Sequence, residues 1–173
     1  MATTDLLLPA HALINVRATD KTTLIQDLAA QAAAALDLPA DRISAALLKR
    51  EALGSTGTGG AVAIPHARMP ELKKPFGMLI RLQDAIDFDA IDGKPVDIVF
   101  LLLLPASSQD GPLSALAGVA RKLRDPECVQ RLRRAADSGK LYNAWACEGG
   151  AVATVTGRHE FGRPADEGGV GPS

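Results

Sequence analysis

From Thr22 to Leu36 the apolar residues Leu24, Ile25, Leu28, Ala29, Ala32 and Leu36 recur at helical spacing. Asp20 or Thr22 suits the N-cap, and Pro39 follows the end. A second helix is predicted from Pro39-Ala-Asp-Arg to about Glu51, with Ile43, Ala46 and Leu47 buried, before Gly54 breaks the pattern. Ala61 to Ile64 reads as a short strand that delivers Pro65 and His66 to its end. Gly77 to Leu82 reads as another strand, and Ile86-Asp-Phe-Asp as a short one before the turn Asp92-Gly93. The run from Val96 to Leu104 is apolar without alternation, which predicts a strand covered on both faces and ended by Pro105.

Leu113, Leu116, Ala117, Ala120 and Leu123 then predict an amphipathic helix. Cys128, Val129 and Leu132 mark another after Asp125-Pro126, and Leu141, Tyr142 and Trp145 a last short one. Helices before, between and after strands imply an α/β fold: a single domain with one β-sheet flanked by helices on both faces. Residues 1–148 make up this domain. Residues 149–173, rich in Gly, Pro and charge and without periodicity, read as a flexible tail.

Composition narrows the function classes. A net charge of −1 and 3% aromatics offer neither the basic field nor the stacking surface of a nucleic-acid binder. The longest aliphatic run, Ile98 to Leu104, is far below the roughly 20 residues that a membrane-spanning helix needs. Met1-Ala-Thr-Thr-Asp-Leu-Leu-Leu has no positively charged n-region and too short an apolar run for a signal peptide, so a cytoplasmic location is expected, with no membrane insertion. Cys128 and Cys147 form no CxxC pair and are expected to be reduced, without disulfide or metal. No cofactor is expected.

Candidate chemistry centres on one of three histidines. His11 is expected just ahead of the first strand or helix and His159 in the tail, and neither has glycine, hydroxyl or cationic neighbours arranged around it. His66 does. Pro65 fixes the backbone before the ring and restricts Ile64 to extended geometry. Gly54-Ser-Thr-Gly57-Thr-Gly59-Gly60 is too rich in glycine for a helix or paired strand and reads as a loop whose N–H groups and hydroxyls can donate to a phosphate. Arg50 and Arg68 flank the segment with forks that match phosphate oxygens. An imidazole near its ordinary pKa of about 6.5 is a competent nucleophile.

The loop is no Walker A, since no Lys-Ser/Thr follows its last glycine, and no dinucleotide fingerprint, since it enters a strand. His66 lacks a His, Cys or acidic partner at i+3 or i+4, which disfavours a metal. Two readings remain from the residues alone: a phosphohistidine site, or a Gly-rich turn with a satisfied surface histidine. The carboxylates Asp87, Asp89, Asp92 and Asp97 are explained by alternation and turns, and Arg131-Leu-Arg-Arg134 by the solvated side of a helix.

The run Arg50-Glu51-Ala-Leu-Gly54-Ser-Thr-Gly57-Thr-Gly59-Gly-Ala-Val-Ala-Ile-Pro-His66 resembles the active-site signature of phosphotransferase-system enzyme IIA domains of the mannitol/fructose/nitrogen class. Ile86-Asp-Phe-Asp-Ala-Ile-Asp-Gly-Lys-Pro-Val-Asp-Ile-Val-Phe-Leu-Leu-Leu resembles the nitrogen-regulatory branch, and the similarity extends from about Leu6 to Trp145. The resemblance implies a mixed sheet with flanking helices, phosphorylation of His66 and an active-site role for Arg50. Gly54, Ser55, Thr56 and Gly57 are the expected phosphate binders. It further implies an HPr-like phosphocarrier as donor. Nitrogen-type members act on regulatory targets such as potassium transport proteins or sensor kinases, whereas sugar-type members pass phosphoryl to a IIB cysteine. A binding-only module that has lost phosphorylation is the third alternative. The chain departs from the family where a second, supporting histidine is usual: Pro112 stands there. The supporting bond is then absent, or comes from Ser108, Gln109, Ser114 or a backbone group.

Overall fold

In the computed structural model, which describes residues 2–107 and 111–147, a 3-10 turn (Thr3–Leu6) leads into strand β1 (Leu7–Val16). His11 therefore stands inside the first strand rather than ahead of it. Helix α1 (Lys21–Leu36) starts at Asp20, whose carboxylate accepts the Thr23 N–H at 2.8 Å, so the aspartate and not Thr22 is the cap. Helix α2 (Ala40–Ala52) follows Pro39 and ends one residue beyond the expected Glu51. The tail, His159, Ser108 and Gln109 lie outside the described residues.

The Gly-rich segment departs from expectation. It contains strand β2 (Gly57–Gly59), paired antiparallel to β3 (Val62–Ala63) in a hairpin. Gly60 and Ala61 at the turn have φ of 65° and 64°, the two positive values of a type I′ turn. Glycine here shapes a hairpin instead of leaving an unpaired loop. At Gly57 a Cβ would lie 2.8 Å from the Cα of Ala90, so only glycine allows this approach.

Strand β4 (His66–Met69) comes next, so His66 opens a strand of its own and is not carried at the end of β3. Strand β5 (Phe76–Ile86) absorbs Ile86, and residues 87–90 form no strand. The reason is local: Asp89 sits at φ 51° with its N–H on the Asp87 carboxylate, which turns the chain out of the sheet. Strand β6 (Val96–Pro105) is followed by helices α3 (Gly111–Arg124), α4 (Pro126–Arg134) and α5 (Ser138–Ala146).

The sheet runs β1-β5-β6-β3-β2, and β4 pairs with β6 beyond β3. β1 lies parallel to β5, β5 antiparallel to β6, and both β3 and β4 parallel to β6, so the sheet is mixed. Along β6, Val99, Leu101 and Leu103 join the core under α1 and α2, with Leu24, Ile25 and Leu28. Ile98, Phe100, Leu102 and Leu104 face the core under α3 to α5, with Val119, Leu132 and Trp145. The strand that reads as uniformly apolar is thus buried on both sides. Burying each such Leu or Ile is worth about 1.5–3 kcal/mol, which anchors β6 as the fixed rail on which β4 and His66 are mounted.

Arg133 corrects the reading of α4 as carrying only solvated arginines. Its guanidinium donates from Nε and Nη2 to the two oxygens of Asp97, each at 2.9 Å, and Nη2 also reaches the Gly60 carbonyl at 3.2 Å. Cys128 is buried, Cys147 is exposed, and both are free. No helix among the described residues is long and apolar enough to cross a membrane.

Candidate functional site

Three pieces of chain converge on His66. Ile64 and Pro65, between β3 and β4, hold the backbone extended, and β4 pairs His66 with Leu102 of the buried strand. Arg50 stands in the last turn of α2, which packs against β4. The loop from Gly54 to Thr56 closes the gap between helix and hairpin.

The imidazole has a defined protonation pattern. Its Nδ1 lies 2.8 Å from the Ile64 carbonyl oxygen, which only accepts, so Nδ1 carries the proton. The Nε–H of Arg50 points at His66 Nε2 across 3.3 Å, which requires a lone pair there. Both contacts demand the same neutral tautomer, with Nε2 as the free nucleophilic nitrogen. Burial pushes the imidazole below its ordinary value of 6.5, and the Arg50 charge adds to the fall. The Ile64 bond and the Glu51 carboxylate oppose it without reversing the direction. At neutral pH the ring is therefore an uncharged nucleophile beside a permanent cation.

Arg50 is itself held. Its Nη1 donates to the Gly54 carbonyl at 3.0 Å, which caps the end of α2 and aims the fork across the site.

The structure gives Ser55, Thr56 and Gly57 scaffold bonds of their own. Ser55 donates its hydroxyl to the Phe88 carbonyl at 2.6 Å and accepts the Gly57 N–H at 3.1 Å. Thr56 is buried, with its N–H on Glu51 Oε1 at 2.9 Å and its hydroxyl on Glu51 Oε2. The Thr56 carbonyl in turn accepts the Ile64 N–H at 2.9 Å. Hydroxyls that read from sequence as phosphate donors are, in the resting protein, spent on fixing the loop. Gly54 is exposed next to Arg50, and Arg68 is exposed on β4.

Sequence reasoning missed Glu51. An acid in the last turn of a helix opposes the helix dipole, and that anomaly was the available signal. It also missed Lys21, which pairs with Glu51 Oε1 at 2.9 Å and for which no local pattern pointed to the site. The apolar side chains Leu53 and Ile91 are 83% and 86% exposed on the two sides of the loop, Leu53 preceding Gly54 and Ile91 donating its N–H to the Gly57 carbonyl.

Of the candidates for a supporting bond, Ser108 and Gln109 lie outside the described residues, and the one bond observed on Nδ1 is that to the Ile64 carbonyl. Pro112 lies in the first turn of α3, and that helix carries no histidine. His11 is half-buried in β1, its ring tilted against Phe76 at 4.9 Å, a packing role. Asp87, Asp89, Asp92 and Asp97 each serve a turn or an ion pair. Among the described residues no three His, Cys, Asp or Glu side chains converge as a metal set. A cleft of about 460 Å³ beside Arg17, Thr23 and Asp84 involves none of the site residues.

Comparison with known proteins agrees with this architecture. A family model described as "Phosphoenolpyruvate-dependent sugar phosphotransferase system, EIIA 2" matches residues 6–145. A "Nitrogen regulatory protein" of Bradyrhizobium diazoefficiens is 42% identical over 146 residues, covering 84% of this chain and 95% of that protein. One from Escherichia coli K12 is 38% identical over 128 residues, covering 73% of this chain and 78% of the relative. Among solved structures, the nitrogen regulatory protein IIA-Ntr from Neisseria meningitidis superposes with a TM-score of 0.77 at 29% identity, covering 82% of this chain and 97% of that one.

Proposed function

The chain belongs to the EIIA 2 family of the phosphoenolpyruvate-dependent phosphotransferase system, and from that premise we propose that it accepts a phosphoryl group on His66 Nε2 and regulates partner proteins by its phosphorylation state. The observation that carries the reading is the fixed tautomer: Nδ1 is held by the Ile64 carbonyl, and Nε2 is left as the lone pair that Arg50 faces.

The donor is a histidine-phosphorylated carrier of the HPr type. The Nε2 lone pair attacks the phosphorus in line, the P–N bond to the carrier breaks, and the carrier's imidazole leaves with that electron pair. The Nδ1 proton stays on the ring, hydrogen-bonded to Ile64, so the product is a positively charged ring bearing an anionic phosphoryl. As the phosphorus arrives, the Arg50 fork exchanges its contact with Nε2 for the equatorial oxygens, where negative charge accumulates. The backbone N–H groups of Gly54, Thr56 and Gly57 are already spent on the Glu51 carbonyl, the Glu51 carboxylate and the Ser55 hydroxyl, so their use on phosphate requires the loop to release them. The loop hydroxyls of Ser55 and Thr56 serve first as its scaffold, and direct contact with phosphate requires them to leave Phe88 and Glu51.

A protein donor suits this site better than a small molecule. The exposed Leu53 and Ile91 offer apolar contact on both sides of the loop, and Arg68 a cationic rim. The two relatives named "Nitrogen regulatory protein" support a regulatory output. The targets we propose are proteins of the potassium-transport or sensor-kinase kind, met in the cytoplasm. Adding a dianionic group at this surface changes which partner fits it.

The test is direct. The protein is incubated with phosphoenolpyruvate, enzyme I and an HPr-type carrier, and a mass increase of one phosphate, acid-labile and base-stable, is expected on the wild type and absent from His66→Ala. No label on the wild type would overturn the proposal. Passage of the label onto a IIB cysteine would assign a transport role instead.

A further inference from the structure

We infer that Lys21 is a positioning residue for His66, acting through Glu51, Thr56 and Ile64, so that the first residue of α1 sets the tautomer of a histidine 45 positions away. The inference rests on the reading of His66 as phosphoryl acceptor and names a further residue of that site.

Each link is a contact between named atoms. Lys21 Nζ meets Glu51 Oε1 at 2.9 Å. Glu51, 6% exposed, accepts both the N–H and the hydroxyl of Thr56. The Thr56 carbonyl accepts the Ile64 N–H at 2.9 Å, and the Ile64 carbonyl holds His66 Nδ1 at 2.8 Å. Every hydrogen bond in the series leaves its groups one orientation.

Lys21 is fixed from a second side. It pairs with Asp89 at 3.3 Å and lies 5.3 Å from the centroid of the Phe88 ring. Phe88 also takes the Ser55 hydroxyl on its carbonyl. Lys21 thus joins α1, α2 and the segment after β5 to the same loop. Burial disfavours its ammonium, but the pairs with Glu51 and Asp89 outweigh that and raise it above the ordinary lysine value, so the charge is permanent at neutral pH.

The electrostatic logic explains why a cation is needed. A buried carboxylate without a partner protonates or turns toward water. Turning toward water gives up bonds to Thr56, and protonation weakens them by removing the charge that they share. The loop then loses its register against Ile64, and His66 Nδ1 loses the carbonyl that selects its tautomer. A partner that orients a reacting imidazole is typically worth about 10–100-fold in activity.

The experiment compares wild type, Lys21→Met and Lys21→Arg. Three quantities are read: thermal unfolding, the imidazole ¹⁵N shifts of His66, and kcat and KM for phosphoryl transfer from the phosphorylated carrier. Lys21→Met is expected to stay folded, to lower kcat about tenfold or more with KM little changed, and to move the ¹⁵N shifts toward a mixture of tautomers. Lys21→Arg is expected to restore both. Should Lys21→Met fail to fold, Lys21→Gln, which keeps a neutral donor, is read in the same way. Wild-type shifts and kcat in the folded variant, with only a lower unfolding temperature, would overturn the inference. If the wild type takes no phosphoryl at all, the acceptor reading fails on its own, and the ¹⁵N comparison still decides the role of Lys21.

Discussion

The guanidinium Nε of Arg50 lies 3.3 Å from the imidazole Nε2 of His66, the nitrogen that the Ile64 carbonyl leaves unprotonated. The contact adds to the lowering of the ring's affinity for a proton, and in the proposed transfer it places a fork where negative charge would gather.

Replacing Arg50 separates these effects. Arg50→Ala is expected to slow phosphorylation about 10²–10³-fold, the usual cost of one preorganised donor at a developing anion. Arg50→Lys is expected to recover little, because an ammonium lacks the planar fork that spans both Nε2 and the Gly54 carbonyl. The imidazole pKa should rise in Arg50→Ala, since the lost cation was among the causes of its fall. Initial rates and an NMR titration check both, and unchanged rates would remove the guanidinium from the reaction.

The direction of the His66 shift fixes a pH profile. With its folded pKa below 6.5, the ring remains neutral through pH 7. The transfer rate at low carrier concentration is expected to be flat above neutrality and to fall on acidification, with a midpoint below 6.5. Stability follows the same sign. The unfolded chain binds the proton more tightly, so the contribution of His66 is complete above pH 6.5 and is lost as pH falls through the folded pKa. His11, lowered by burial, adds in the same sense. Urea titrations of wild type and His66→Gln between pH 5 and 8 measure it, and an equally steep acid limb in both would contradict the assignment.

The helices and the two-faced strand β6 were legible because their patterns are long and mutually consistent. Arg50 and His66 were legible because a proline, a glycine cluster and an arginine fall within one short motif. What was not legible is non-local. The glycines suggest exposed backbone donors from sequence, but Gly57 answers to Ala90, and Gly60 to the hairpin turn. The roles of Ser55 and Thr56 depend on Phe88 and Glu51, which composition alone does not bring together. Lys21 is separated from Glu51 by a whole helix pair, and only packing of α1 on α2 makes them neighbours.

Gly57→Ala tests whether the close approach of β2 is required. The new Cβ would meet Ala90 backbone and side chain at 2.8 Å, and neither is the end of a flexible chain. Overpacking of this kind typically costs about 1–3 kcal/mol. The shift is expected to displace Ser55 from Phe88 and to slow phosphorylation, while Gly93→Ala, with nothing within 4 Å but a strained φ of 70°, should lower the denaturant midpoint and leave the phosphorylation rate at wild type. Denaturant midpoints and transfer rates compare the two, and a wild-type transfer rate in a destabilised Gly57→Ala would show that the site tolerates movement of the loop.

Arg133 offers a test of how the hairpin is held from behind. Its two bonds to Asp97 form a planar pair between α4 and the start of β6, while Nη2 reaches the Gly60 carbonyl in the turn. Both side chains are roughly one-third exposed, so solvent screens the pair and its coupling is expected near 1 kcal/mol. A double-mutant cycle with Arg133→Met and Asp97→Ala measures that coupling directly. Only Arg133→Met also removes the bond to Gly60. It is therefore expected to speed amide exchange across residues 59–62 more than Asp97→Ala does. Exchange accelerated equally by the two variants would mean that the ion pair, and not the bond to the turn, restrains the hairpin behind His66.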